Sequence, residues 1–466
     1  MARIPLILLL LSSLQLACHA YIPTASTLVG VLLALSSYRI SCLAAPAAST
    51  LGLLEPANGV YLMIWPDTEV TPYQADTPSL INQRLGQRVP VWHFAQNIPT
   101  LTQSGTPGVS VNVGIDTKIN TTFLELTYSD AMIFLTVYPF LTGDMNAVND
   151  TDIAALATQC AQLNAAGRKI FLRLAPEMNG GWYPWGQKPS VYVPWWRKVV
   201  TAVRAQAPNT AFVWSPNVRG QGGFALASWV HPLGTDYNLM DTNKDGVVNG
   251  TDDPYGPFYP GDDYVDWVGL SLYYYGTSYP YHFNTLPPDY WFVQSLQGFG
   301  AFDFYQTYSV QHNKPFACSE CSSTFFAAQP VGSSLVNVPP GPGELAIKRS
   351  LSKNKDVHRN QKRGLFEFRK KEDDTFRDFQ ILNQSNPNNL LPQFLTDLQA
   401  ASSKINFIWA NYSPPPVVPA PLPANSTPGD HIATILGMNS GHSSLRTIVQ
   451  RYGAYFAMFV ATWMLS

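Results

Sequence analysis

Charge is scarce in this chain. Lys, Arg, Asp and Glu make up 13% of 466 residues and leave a formal net charge of -2. No basic face is evident in the main body, so nucleic acid is not expected as a partner. Cysteine is scarce as well, with five in all. Cys318 and Cys321 stand in C-x-x-C spacing around Ser319 and Glu320, without a second such pair, so a zinc site is not expected. Apolar runs long enough to cross a bilayer are missing: residues 28–35 and the terminal residues 452–466 both fall short. Nothing asks for an organic cofactor.

What the chain has is apolar and aromatic surface. Hydrophobic residues reach 46% and aromatics 13%, including 12 Trp and 23 Tyr. That is enough for a sizeable core. The length alone suggests two or three domains, but α/β barrels routinely exceed that rule. So many Trp and Tyr suit carbohydrate contact, although core packing uses them too.

Both ends read as processing signals. Residues 1–20 have the form of a signal peptide, with Arg3 at the start, an apolar stretch and small residues near Ala20. Residues 21–55 follow as an N-terminal segment without an assigned role. Residues 413–438 are Pro-rich and read as an extended linker. Residues 439–466 have the order of a glycosylphosphatidylinositol attachment signal: small residues, a polar spacer, an apolar tail. The expected product is a secreted monomer, tethered to a membrane by that anchor. Export would leave Cys42, Cys160, Cys318 and Cys321 in a disulfide-permissive compartment, and their spacing leaves the pairing open. Sequons at Asn120, Asn149, Asn249, Asn383, Asn411 and Asn425 fit a glycoprotein.

Between these ends, residues 56–412 carry eight short apolar runs: 59–65, 89–95, 131–137, 170–174, 211–214, 265–272, 315–318 and 364–368. Helical patterns fall between several of them, at 152–166, 193–207 and 299–312. Eight strands alternating with helices or long loops predict a (β/α)8 TIM barrel, an α/β fold. Polar and aromatic residues recur just past the strand ends, where such barrels carry their chemistry. Residues 350–363 hold almost no apolar side chain where the seventh helix should pack.

The stretch that organises the chain is residues 170–186, I-F-L-R-L-A-P-E-M-N-G-G-W-Y-P-W-G. A strand ends in a single acid, Glu177, and two tryptophans follow, Trp182 and Trp185. A sugar-cleaving site needs a carboxylic acid to protonate the glycosidic oxygen and flat rings to stack on pyranose faces. A strand end with surface aromatics and a solvated Glu would look the same on spacing alone.

Residues 241–252, D-T-N-K-D-G-V-V-N-G-T-D, predict a structural calcium loop. Asp241, Asn243 and Asp245 stand at positions one, three and five, and Gly246 stands at the sharp turn. Val247 offers a carbonyl at seven, and Asp252 closes the loop at twelve. The flanks lack the long helices of a sensor EF-hand, and a polar Gly-Asn-Asp turn would read alike.

The segment R-L-A-P-E-M-N-G-G-W-Y-P-W-G resembles the acid/base region of glycoside hydrolase family 26, best known for endo-β-1,4-mannanases. Y-V-D-W-V-G-L-S-L-Y (264–273) resembles that family's sixth strand, and K-P-F-A-C-S-E-C-S-S (314–323) its nucleophile strand. The resemblance implies a retaining hydrolase acting on β-1,4-mannan-type polysaccharide. It implies Glu177 as general acid/base and Glu320 as nucleophile, with Tyr273 orienting Glu320 and Arg173 bracing the acid/base strand. Trp182 and Trp185 would line sugar subsites, with Asp67, His93, Trp214 and Asn217 around the substrate cleft. The two carboxylates would lie about 5 to 5.5 Å apart. Two positions depart from the family pattern. Pro176 stands where the family usually has a substrate-binding His, and Cys321 follows the nucleophile. A non-catalytic surface carbohydrate-binding barrel and a cell-wall transglycosylase are the rival expectations.

Overall fold

The computed structural model describes residues 51–66, 77–100, 118–140, 144–218, 225–274, 287–288, 290–300, 302–323, 325–326, 364–368, 377–378 and 391–413. The signal peptide, most of the N-terminal segment, the linker, the anchor signal, Asp67, Cys42, residues 350–363 and the sequons at Asn383 and Asn425 lie outside them. The other four sequon asparagines are all exposed.

Eight parallel strands form the barrel: β1 (Val60–Ile64), β2 (Val91–Asn97), β3 (Met132–Tyr138), β4 (Ile170–Leu174), β5 (Thr210–Trp214), β6 (Trp267–Tyr274), β7 (Phe316–Ser323) and β8 (Gly364–Phe368). Each pairs with the next in sequence, and β8 pairs with both β7 and β1, which closes the sheet. Parallel strands covered on both faces read as continuous apolar runs, and β2 to β5 are buried at every position.

Alternation along the strands sorts side chains into two layers. Met63, Val91, Met132, Phe134, Phe171, Ala211, Val213, Trp267 and Ala317 pack together inside. Their strand neighbours, such as Leu62, Ile133, Leu172, Phe212 and Leu270, join the shell that packs under the helices.

Two long helices supply much of that shell. One is α1 (Asp150–Ala165), opened by a capping box between Asn149 and Asp152. The other is α2 (Pro189–Arg204), which begins earlier than the expected 193 because Pro189 sits at its first position. It buries Tyr192, Trp195, Trp196, Val199 and Val203. The helix expected over 299–312 is shorter, a π-helical turn at Tyr305–Gln311. Gly298, Phe299 and Gly300 all have positive φ, which breaks the chain before it.

A further short strand, β9 (Phe407–Ile408), pairs with the start of β1. The chain then runs past the N-terminal ends of β2 and β3. The Ala410 amide donates to the Arg88 carbonyl at 2.9 Å and the Ser413 amide to that of Tyr128 at 2.9 Å. Asn411 donates through Nδ2 to Asp130 at 2.8 Å. This strap lies at the end of the barrel opposite the site described next.

Candidate active site

The site is built at the C-terminal ends of β4, β6 and β7. Arg173 is the interior residue of β4 above Phe171 and is fully buried. The chain then turns through Ala175 (φ 38°), Pro176 and Glu177 (φ 58°). Left-handed backbone at non-glycine residues costs about 1–3 kcal/mol each and persists where neighbours hold it. Here they do: the Ala175 amide donates to the Val137 carbonyl and the Glu177 amide to that of Ser215, each at 2.9 Å. The turn is stitched to the strands on either side.

Glu320 reaches the interior through an irregularity. Leu270 pairs with Cys318, but Ser271 pairs with Glu320, so Ser319 is an extra residue in β7. Ala317 faces in, and strict alternation would therefore face Glu320 out. The bulge reverses that. Gly269 makes it fit: a Cβ there would lie 2.2 Å from the Ser319 hydroxyl oxygen.

The carboxylates share one set of polar neighbours. Arg173 donates through Nη1 to Glu320 Oε1 and through Nη2 to the Ser271 hydroxyl at 2.6 Å. The Tyr273 phenol donates to Glu320 Oε2 at 2.8 Å. Glu177 is 6% exposed and Glu320 5%. An ionised carboxylate only accepts, so the donors around Glu320 match its charged form. Glu177 is held above the ordinary carboxylate range, first by burial and then by the negative charge of Glu320. Arg173 and hydrogen bonds from Ser271 and Trp182 oppose that rise without cancelling it. Burial works against the charge on Arg173, but Glu320, by charge and hydrogen bond, together with Tyr138 and Glu177 outweighs that and raises its pKa.

Trp182 stands at the mouth, 49% exposed, and its indole donates to Glu177 Oε2 at 2.7 Å. Its ring lies on Gly180, where a Cβ would come within 2.2 Å of it. Trp185 differs from the expectation of a sugar platform. It is 1% exposed, donates to the Pro176 carbonyl at 2.8 Å and stacks on Tyr183 at 4.5 Å. It therefore backs the turn rather than facing a ligand. The rings left partly open beside Trp182 are Tyr183 and Phe140.

The weaker cleft candidates separate. Trp214 faces outward on β5, fully buried against Phe304, Tyr259 and Tyr308. That corrects its placement in the cleft, since the interior position of β5 is Val213. His93 is also fully buried, inside the barrel between Trp65 and Phe134, with Nε2 2.7 Å from the Thr136 hydroxyl. Asn217 is half-buried at the site. Asn179 holds it through both backbone groups at 2.9 Å, as a strand neighbour would. Ser271 and Asn179 are the residues that sequence reasoning missed. A lone Ser between Leu270 and Leu272 was the available signal for the first.

In the predicted calcium loop, Asp245 accepts from the Val247 amide at 2.8 Å and Asp252 from those of Thr242 and Asn249. Among the described residues, no three Asp, Glu, His or Cys side chains converge on one point. Cys160, Cys318 and Cys321 are buried.

Fold and site together define a class: a parallel (β/α)8 barrel with two buried carboxylates on the face where its strands end. The glycosyl hydrolase family 26 model matches residues 125–249, a segment that includes Glu177. Endoglucanase H of Acetivibrio thermocellus is 26% identical over 164 residues, covering 34% of this chain and 15% of the relative. A Cellulomonas fimi endo-β-1,4-mannanase double mutant is 15% identical, with 75% of this chain and 72% of that chain covered and a TM-score of 0.45. A GH26 β-mannanase from Bacteroides ovatus is 14% identical, with 76% and 91% covered and a TM-score of 0.46. The barrel itself is evident from its strand pairing.

Proposed function

We propose that the chain is a secreted retaining glycoside hydrolase that cleaves β-1,4-mannan-type polysaccharide by double displacement. The observation that carries this reading is the shared cradle of Glu177 and Glu320. Two carboxylates with different roles need environments that push them apart, and these two have them.

The steps follow from the groups in place. Ionised Glu320 attacks the anomeric carbon, while protonated Glu177 gives its proton to the departing glycosidic oxygen. The glycosidic bond breaks as the ester to Glu320 forms. That ester carries no charge, so one of the two causes that raise Glu177 is gone. Glu177, now a carboxylate with its pKa lowered, takes a proton from water. The hydroxide equivalent attacks the anomeric carbon and frees Glu320. Trp182 holds Glu177 in place and offers an open ring face to the sugar. The mannan assignment is supported by the family match and the resemblance of the site segments.

The test is reducing-sugar release from β-mannan, xylan and lichenan by the purified protein beside Glu320→Ala. Release from mannan, lost in the variant, is the expected result. Release from xylan or lichenan alone would overturn the substrate class. Binding of mannan without any release, by a folded protein, would favour a carbohydrate-binding barrel instead.

A further inference from the structure

The loop at residues 241–252 takes no part in that chemistry, and one of its carboxylates is poorly explained. Asp241 is 6% exposed. Its Oδ2 crosses the loop to accept from the Gly246 amide at 3.0 Å. Its Oδ1 is buried with no hydrogen-bond partner. A buried carboxylate oxygen left unmet is costly and needs a cause. The carboxylate faces the loop centre, since its other oxygen bonds across the loop.

We propose that this loop binds one calcium ion, with Asp241 Oδ1 as the first ligand. Asn243, Asp245 and Asp252 supply side-chain oxygens, and Val247 supplies its carbonyl. The donors are all hard oxygens, three of them from carboxylates, a set suited to calcium rather than to softer metals. The loop already has the required backbone turns, with Lys244 at φ 62° and Gly246 at φ 88°. Asp245 and Asp252 now accept from backbone amides, and the ion would draw them inward.

The loop also has a place in the fold. It leaves a short helix, α3 (Thr235–Met240), where Tyr237 accepts from the Val248 amide and donates to the Gly246 carbonyl, both at 3.2 Å. After Asp252 comes Asp253, which accepts from the Tyr308 phenol at 3.2 Å. Tyr255 then packs on Phe304 and Tyr308, the same rings that bury Trp214 at the end of β5. The ion would thus fix the support behind the end of β5, the strand between β4 and β6.

The test uses the purified protein stripped with a chelator. Calcium titration by calorimetry should give one site, with a Kd of about 10⁻³ M or tighter. Calcium should raise Tm. Terbium bound in the loop should luminesce on tyrosine excitation, because Tyr237 contacts residues on both sides of Val247. Asp241→Asn should weaken binding about tenfold or more. Asp245→Asn, at an exposed position, serves if the first variant does not fold. A folded protein that binds no calcium would overturn the proposal and leave Asp241 Oδ1 to water. Unchanged binding in both variants would overturn the placement in this loop.

Discussion

At the residue scale, Glu177 is the position where stability and chemistry oppose each other. Its folded pKa is raised, by burial and then by Glu320. A carboxyl with a raised folded pKa stabilises the fold while protonated, below its unfolded pKa. It loses that contribution as pH climbs through the folded pKa. Glu177→Gln should therefore raise Tm at neutral pH, with the gain shrinking as pH falls toward 4 (about the free carboxyl value). The same variant should lose about 10²–10⁴-fold in kcat, together with the alkaline limb of the pH profile. Trp182→Phe removes a donor that pulls the Glu177 pKa down, so its alkaline limb should move to higher pH. Tyr273→Phe deletes a bond to a charged acceptor, worth about 1.5–3 kcal/mol, and should cost roughly 10- to 150-fold in rate. A variant with unchanged kinetics would contradict the role given to its residue. Glu177 was legible as a lone acid at the end of an apolar strand, whereas Glu320 stands inside β7 and was singled out by the family resemblance. The burial of Trp185 was not, since G-G-W-Y-P-W-G presents two tryptophans with nothing local to say which one backs Pro176.

At the scale of the element, β7 decides the site. Ser319 is one residue too many for the pairing with β6, and that surplus turns Glu320 inward. Gly269→Ala would drive a methyl into the Ser319 hydroxyl and to 2.9 Å from the Ala317 carbonyl. The expected outcome is a lower Tm and a loss of kcat larger than any loss of substrate binding. Normal stability and activity in that variant would show that the bulge does not set Glu320. The strands themselves were legible as apolar runs, because parallel strands buried on both faces must be apolar throughout. The bulge was not, because it exists only as a mismatch between two strands about 50 residues apart in sequence. The strand Phe407–Ile408 escaped for a related reason: two residues carry no periodicity.

At the scale of the molecule, the barrel keeps its chemistry and its strap at opposite ends. The segment around Ala410 to Ser413 ties the N-terminal ends of strands, the end of such barrels that serves stability. Asn411→Ala should lower Tm, read by thermal melting, while kcat measured well below the transition stays unchanged. Falling kcat in a folded variant would contradict that division. The most direct test of the whole account is the anomeric configuration of the first product from β-mannan, followed by proton NMR before mutarotation. Retention, with no product from Glu320→Ala, is the predicted result. Inversion would mean that Glu320 never bonds to the sugar, and the double displacement would fall.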